Sequence, residues 1–402
     1  HAFSFMSERK DRNKRNCWLT YTNEKTHEII RENIMRAPKY AGKIHGIGAR
    51  YCPSIEDKVV RFADKDRHQL FVEPEGLDTT EMYVQGMSTS MPIDVQYAFL
   101  RTIPGFEDVK MMRPAYAIEY DLLDPLQLYP TLEVIKLPGL YSAGQSNGTS
   151  GYEEAAAQGL VAGINAALKI QGKDPFILAR HEAYIGSLVD DLVTKGADEP
   201  YRMMTSRSEY RLILRQDNAD LRLTEKGHSI GLVGEERYAR FLERKKKYEE
   251  AMDYIRTQRF TPKEEINRAL ESMGTAPLTT GTGADQILKR PEMTYRKMME
   301  MLGCPAFDEE AVEEMEITVK YEGYIARQEA AVRKAARMEN EKLPPDMDYL
   351  SLDGISTEAR QKMDKIRPLS LGQAARIPGV SPADISVLMV YVKQRKGKKG
   401  AE

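Results

Sequence analysis

Apolar residues are spaced differently in the two parts of this chain. Between about residue 49 and residue 175 they come in short runs broken by Gly, Pro or Asp. HQLFVEPEG, EMYVQGM and PAYAIEYDLL are rich in β-branched and aromatic residues and predict strands. Beyond Asp174-Pro175 such runs stop. Apolar positions then recur at helical spacing, as in Glu235 to Thr257 and Tyr324 to Asn340. LPPD, Leu343 to Asp346, interrupts that pattern before a last unit of about three helices, and the tail KQRKGKKGAE is expected to fray. Two shorter helices are predicted near the start. TNEKTHEIIRENIMRAP offers Thr22 or Asn23 as an N-cap and Ile29, Ile30 and Ile34 as an apolar face. PSIEDKVVRFAD places Pro53 at the first helical position, with Ile55, Val59 and Phe62 on one side. The pattern as a whole predicts an α/β region followed by an all-α region.

The most informative stretch joins the two patterns. GLYSAGQSNGTSGYEEAAAQGLVAG, Gly139 to Gly163, runs from a short apolar strand (Leu140, Tyr141) through Gly144, Gly148 and Gly151 into an Ala- and Gly-rich helix. Glycines allow positive φ or close approach of a ligand, and a helix N-terminus attracts negative charge. The spacing is not GxGxxG. Glu153 and Glu154 fill the first helical turn, and two carboxylates repel a pyrophosphate. The edge of a flavin ring suits the turn better, because the helix dipole stabilises negative charge on the reduced ring. A purely structural turn ahead of a core helix fits the residues equally well. Gly159 and Gly163 lie on one face and would let the helix press closely on a sheet.

Two further sets of residues carry candidate chemistry. Cys52 precedes the PSIEDK helix, where the dipole, Arg50 and Lys58 would favour a thiolate. A small buried cysteine has the same local sequence. Cys17 and Cys304 lack such surroundings and read as structural. Further on, EPYRMMTSRSEYRLILRQDNADLRL contains Arg202, Arg207, Arg211, Arg215 and Arg222. Arg207, Arg211 and Arg215 would form one stripe on a helix, with Tyr201 and Tyr210 interleaved. Arginines grip phosphates and tyrosines stack on bases. An ordinary solvated face neutralised by Glu209, Asp217 and Asp220 is the alternative.

Composition narrows the classes. The formal net charge of −2 excludes a uniformly basic nucleic-acid binder, so any RNA contact must be a local patch. Three cysteines without CxxC spacing and six scattered histidines give no disulfide framework and no expected metal site. No apolar run approaches the ~20 residues of a membrane span, and no signal peptide is evident. A reducing cytoplasm is the expected compartment.

Several long strings are shared with one known family. ARYCPSIEDKVVRFADKDRHQLFVEPEG, AGQSNGTSGYEEAAAQG, EPYRMMTSRSEYRLILRQDNADLRLTEKG, RPEMTYRKM and VKYEGYIARQ closely resemble the bacterial MnmG (GidA) family of tRNA-modifying enzymes. The resemblance implies a glutathione-reductase-like FAD-binding domain, present only in part, and a helical C-terminal region. It divides the chain into the end of an inserted dinucleotide-binding-like domain (1–48), the FAD domain (49–175), a helical domain (176–345) and a small helical subdomain (346–402). It implies FAD, NADH as reductant, methylene-tetrahydrofolate as carbon donor, glycine or ammonium, a homodimer and the partner GTPase MnmE. Cys52 would be the reactive thiol. Gly144, Gln145, Asn147, Gly148 and Gly151 would meet the flavin, and Gly48, Arg50 and Tyr51 the dinucleotide. Arg202, Arg207, Arg211 and Arg215 would meet tRNA. The helix–IPGV–helix hairpin, capped at Ser381 with Pro382 following, presents Ile385, Leu388, Met389 and Val392 and would meet the GTPase. The chain resembles the C-terminal two-thirds of such a protein, without the N-terminal GxGxxG loop, so FAD binding and activity are expected to be weak or absent in it alone. The alternatives are a docking module for tRNA and GTPase without chemistry, and a folate-dependent tRNA uridine methyltransferase.

Overall fold

The computed structural model describes residues 4–7, 15–44, 53–118, 120–197 and 199–399, with side chains described as far as residue 394. Short polar side chains set the ends of the first helices. α1, Glu24–Glu32, starts where Asn23 accepts from the Thr26 N–H at 3.0 Å and the Thr26 hydroxyl accepts from the Asn23 N–H. α2, Ile55–Arg61, is capped in the same reciprocal way by Ser54 and Asp57. Pro53 therefore lies ahead of the cap and not at the first helical position. The Ser54 hydroxyl satisfies an orphan N–H, whereas a proline only lacks one.

α3 follows at Ile93–Leu100. β1 (Trp18–Tyr21), β2 (Gln69–Pro74) and β3 (Met82–Gln85) form an antiparallel sheet in that order, with Thr20 opposite Leu70 and Val72 opposite Val84. Ile30, Ile55, Val59, Leu70, Val95 and Phe99 share one core. Phe62, just past the end of α2, is exposed.

Two of the expected strands are β2 and β3. The third, PAYAIEYDLL, forms no strand in its described residues. Tyr116, Ile118, Leu122 and Leu123 are exposed, and no ladder runs beside them. β propensity alone leaves the backbone groups unpaired, so a strand exists only where a neighbour accepts it. The Leu140-Tyr141 strand likewise reduces to an isolated bridge between Glu133 and Tyr141. The described sheet is antiparallel, so no parallel FAD-domain sheet is seen among the described residues.

α4 (Tyr152–Ile170) and α5 (Tyr184–Lys195) pack through Val161, Ala162, Val189 and Val193. Gly159 and Gly163 face no sheet among the described residues. An added Cβ at either would meet nothing within 4 Å, and they line an open groove of about 390 Å³ with Leu160, Ile164, Ile230 and Leu232.

A helical body follows, comprising α6 (Ala219–Ser229), α7 (Glu235–Thr257), α8 (Glu264–Ser272), α9 (Ala284–Leu288), α10 (Tyr295–Leu302) and α11 (Glu309–Asn340). A small ribbon of β4 (Arg259–Phe260) and β5 (Thr282–Gly283) interrupts it, where only helices were expected. α11 begins fifteen residues earlier than the periodicity from Tyr324 suggests, because Asp308 caps it at the Ala311 N–H. Ile255, Leu270, Ile287, Tyr295, Met298 and Met315 fill the core, which also holds Cys304. Burial pushes the Cys304 thiol up, while Cys17 is exposed.

α12 (Thr357–Ile366), α13 (Leu371–Arg376) and α14 (Pro382–Lys399) are the expected three closing helices. The α14 backbone stays helical through most of the tail that was expected to fray. Its apolar stripe is covered within the bundle, by Tyr349, Ala359, Met363 and Leu371 among others. The hairpin turn is covered as well, since Lys362 Nζ donates to the Pro378 carbonyl at 2.7 Å. Replacing the fully buried Met315 by Ala should cost about 2–5 kcal/mol in chemical denaturation. Phe62→Ala should stay within about 0.5 kcal/mol.

Candidate functional site

The glycine turn is held by one buried amide. Gly144–Asn147 form a single 3₁₀ turn, Gly148 closes it at φ +82°, and Gly151 is the N-cap residue of α4. Gln158, wholly buried on the second turn of α4, accepts from the Gly144 N–H (3.1 Å) and Asn147 Nδ2 (2.8 Å). Its own amide donates to Thr149 Oγ1 at 2.8 Å. Asn147 also donates to the Ser142 carbonyl at 2.9 Å, and Thr149 donates to the Gly144 carbonyl at 3.0 Å. The candidate Asn147 is thus spent inside the turn. Gln145 is not: its side chain is exposed and takes no part in this network.

The glycines serve close packing. A Cβ on Gly148 would lie 2.7 Å from the Ala197 methyl, and one on Gly151 would fall on the Glu154 carboxylate. α4 has no side-chain cap, so its first amides are unfilled by the protein's own side chains. Glu154 is buried. One of its oxygens accepts from the Met203 N–H at 2.7 Å, and the other has no partner. A buried carboxylate beside uncapped amides suits a neutral carbonyl or ring nitrogen and opposes a phosphate. On that donor set the turn fits one edge of a flavin ring. Gly48, Arg50, Tyr51 and Cys52 lie outside the described residues.

The arginine-rich segment docks on this same turn. The Tyr201 N–H donates to the Gly148 carbonyl at 3.0 Å, and Arg202 Nε lies 3.6 Å from Glu154. Ahead of α6, which begins at Ala219, the segment is helical only in the single turn Thr205–Arg207, so Arg207, Arg211 and Arg215 form no helical stripe. The reason lies in what each side chain meets. The Arg207 guanidinium sits 4.4 Å over the Tyr201 ring. Arg215 is drawn inward to Asp217 (2.9 Å) and Glu314 (2.5 Å). Arg211 is exposed and forms no ion pair among the described residues. The interleaved tyrosines are buried: Tyr201 donates to Asp191 at 2.8 Å, and neither ring is free to stack on a base.

Arg180, absent from the sequence reading, organises the segment. Its guanidinium donates to Asp191 (2.7 Å), to Asp190 (3.1 Å) and with two nitrogens to Glu209 (2.8 and 2.9 Å). Arg376 of α13 joins Asp190 at 2.7 Å and also pairs with Glu339. Burial alone would raise the Asp191 carboxyl, but the Arg180 and Lys195 charges override it and hold it below the usual range. Burial opposes Glu209 too, and its bond to Arg180 lowers it all the same. Gln158 is the Q of AAAQG and Glu209 stands among the arginines as a neutralising acid. Arg180 sits in ILARHEAY with nothing local to mark it.

Gln158→Leu should strand the Gly144 N–H and cost about 1–3 kcal/mol by thermal or chemical denaturation, whereas Gln145→Ala should leave stability unchanged. Two carboxyls with depressed folded-state pKa bind fewer protons folded than unfolded. Their stabilisation is present above the ordinary carboxylate range and is lost as pH falls through the lowered values. The melting temperature should therefore drop on acidification below about pH 4, less steeply in Glu209→Gln.

With this geometry in view, the comparisons with known proteins are specific. Three family models match: glucose inhibited division protein A over residues 1–174, the MnmG/GidA C-terminal helical domain over 235–329, and the MnmG/GidA C-terminal helical bundle over 331–402. A tRNA uridine 5-carboxymethylaminomethyl modification enzyme MnmG from Enterococcus faecalis is 56% identical over 397 residues, covering 98% of this chain and 63% of that protein. Its namesake from Clostridium kluyveri is 57% identical over 398 residues, 99% of this chain and 63% of that protein. GidA of Aquifex aeolicus in its form II crystal superposes with a TM-score of 0.81 at 47% identity, covering 96% of this chain and 60% of that one. The chain thus spans about 63% of the length of these curated relatives. Identity of this level along the whole sequence, with three matching family models and a shared fold, makes the chain a member of the MnmG/GidA family.

Proposed function

We propose that this chain is the part of a flavin-dependent tRNA-modifying enzyme that receives the wobble uridine and helps add a carboxymethylaminomethyl group to its carbon five. The observation that carries the reading is the docking of the arginine segment on the glycine turn, through Tyr201 to Gly148 and Met203 to Glu154. RNA held along that segment is delivered beside the turn. The relatives' printed name, tRNA uridine 5-carboxymethylaminomethyl modification enzyme, supports the substrate class.

Roles follow from chemistry. Gln145 and the uncapped amides of α4 would hold one edge of the flavin. FAD supplies hydride-transfer chemistry when bound, with NADH as reductant. Uridine is unreactive at carbon five until a nucleophile adds at carbon six and makes an enolate. The Cys52 thiolate adds there or assists a later step. The resulting carbanion would form a bond to the one-carbon unit of methylene-tetrahydrofolate. Loss of the carbon-five proton and of the tetrahydrofolate amine would leave an exocyclic methylene, to which the glycine amine would add. The regenerated enolate would expel the thiolate, whereas ammonium in place of glycine would give the aminomethyl group. Gly48, Arg50 and Tyr51 would serve the dinucleotide. Arg202, Arg207 and Arg211 would meet tRNA phosphate, with Arg215 supporting the segment from within through Glu314. A GTPase of the MnmE kind, a second copy of the chain and a cytoplasmic setting complete the proposal. No helix among the described residues is long and apolar enough to cross a membrane. The matches at 235–329 and 331–402 favour this reading over the methyltransferase, whose members lack a long helical C-terminal region.

Arg211→Glu should weaken tRNA binding and lower its salt slope by about one. Unchanged affinity and slope would remove the RNA assignment. In a strain lacking the intact protein, nucleoside mass spectrometry should find no modified uridine when the intact gene carries the Cys52→Ser change. Normal modification there would end the thiol's role.

A further inference from the structure

The string VKYEGYIARQ lies on α11 and is not used by the function proposed above. Most of its residues are exposed. Tyr321 and Tyr324 are 47% and 55% exposed, with ring centroids 6.4 Å apart. Residues three apart share a helix face. The Arg327 guanidinium lies 4.7 Å over the Tyr324 ring, and its Nε donates to the Gly323 carbonyl at 3.2 Å. This contact continues the face by one further step. Neighbouring positions are small. Gly323 has nothing within 4 Å of an added Cβ, and Ala326, Ala330 and Ala331 are exposed, so the rings stand clear of their surroundings.

One turn on, Gln328 joins this face to the arginine segment. Its Oε1 accepts from the Leu212 and Ile213 N–H groups at 3.2 and 3.3 Å, and its Nε2 donates to the Glu209 carbonyl at 3.1 Å. The chain stretch bearing Arg211 is thereby clamped against α11 beside the tyrosines. Charge favours an anionic visitor. From residue 321 to residue 337 the helix carries four basic side chains, Arg327, Arg333, Lys334 and Arg337, against two acidic ones. Both acids are engaged, Glu322 with Lys289 at 2.7 Å and Glu329 with Arg333 at 3.9 Å.

We infer that Tyr321, Tyr324 and Arg327 form a stacking platform for unpaired bases of an RNA loop, with Arg211 beside it on the phosphate backbone. Aromatic faces and a guanidinium plane accept any splayed-out base, and basic side chains around them hold the backbone. Paired RNA hides its base faces and gains nothing from such rings. The inference rests on the tRNA reading and deepens it. It moves the aromatic contacts from the buried Tyr201 and Tyr210 to α11.

The test uses the 402-residue chain and two fluorescent RNAs, a hairpin with an unpaired loop and a blunt duplex of its stem, read by anisotropy. The double variant Tyr321→Ala/Tyr324→Ala should bind the hairpin about tenfold more weakly or worse. It should keep its duplex affinity and its melting temperature, because both side chains are on the surface. Tyr321→Phe/Tyr324→Phe should bind the hairpin like the parent, since the ring faces remain. If the Ala variant matches the parent on the hairpin while Arg211→Glu weakens it, the platform is wrong and the RNA reading survives. If the parent binds neither RNA, the RNA reading itself fails and the platform with it. Equal losses on hairpin and duplex would also overturn the platform, by showing no preference for unpaired bases. Loss of a protein partner with RNA affinity intact would reassign the face to protein docking.

Discussion

The pairing of the Arg180 guanidinium is the interaction on which the arrangement of the candidate surfaces depends. It is buried between α5 and the arginine-rich segment, and its donors are spread over Asp190, Asp191, Glu209 and two backbone carbonyls. A buried charge of this kind is tolerated only when fully paired, and removing a partner leaves an uncompensated ion. The requirement fixes the path of the backbone from Arg207 to Glu209. It also reaches the C-terminal bundle, because Asp190 is shared with Arg376. Beside this cluster, the arginine segment is joined to the candidate flavin turn through Tyr201 and Met203, and to α11 through the Arg215–Glu314 pair and the Gln328 clamp.

The glycine turn illustrates a second constraint. A ligand-binding turn must be rigid before the ligand arrives, or ordering it weakens binding. Here Gln158 supplies the rigidity by satisfying Gly144, Asn147 and Thr149 together. The side chain left over, Gln145, is the one with freedom to contact something else. Asn147 and the glycines build the turn, and the α4 amides and Gln145 are its outward face. Glu154 is buried beside that face with one oxygen unpartnered, and a carboxylate there repels a phosphate.

The arginine segment shows how charge patterns mislead when read one-dimensionally. Spacing of four suggested a helical stripe, yet the segment is irregular and its arginines have separate tasks. Arg215 is internal. Burial, and then the neighbouring Asp217, push the Glu314 carboxyl it meets well above the usual range. Arg207 lies on a tyrosine ring, and Arg211 alone stands open. The tyrosines that seemed ready to stack are structural, and the exposed pair sits more than a hundred residues later on α11. Nothing local in either string distinguishes a buried tyrosine from an exposed one.

What the sequence determined by itself is what a few neighbouring residues encode. The caps at Asn23 and Ser381, the helix following the glycines, the closing three helices and the family membership are all legible, because hydrogen bonds and periodicity within a turn or two decide them. Tertiary structure alone decided which expected strands found a partner, so β2 and β3 formed and PAYAIEYDLL did not. It also decided which arginine faces water, which amide locks the turn and which aromatic rings are free. Those outcomes depend on groups far apart in the chain, Arg180 with Arg376 through Asp190, Leu212 with Gln328, Arg215 with Glu314. A buried polar group must find its partner wherever the fold brings one, and sequence spacing carries no record of that meeting.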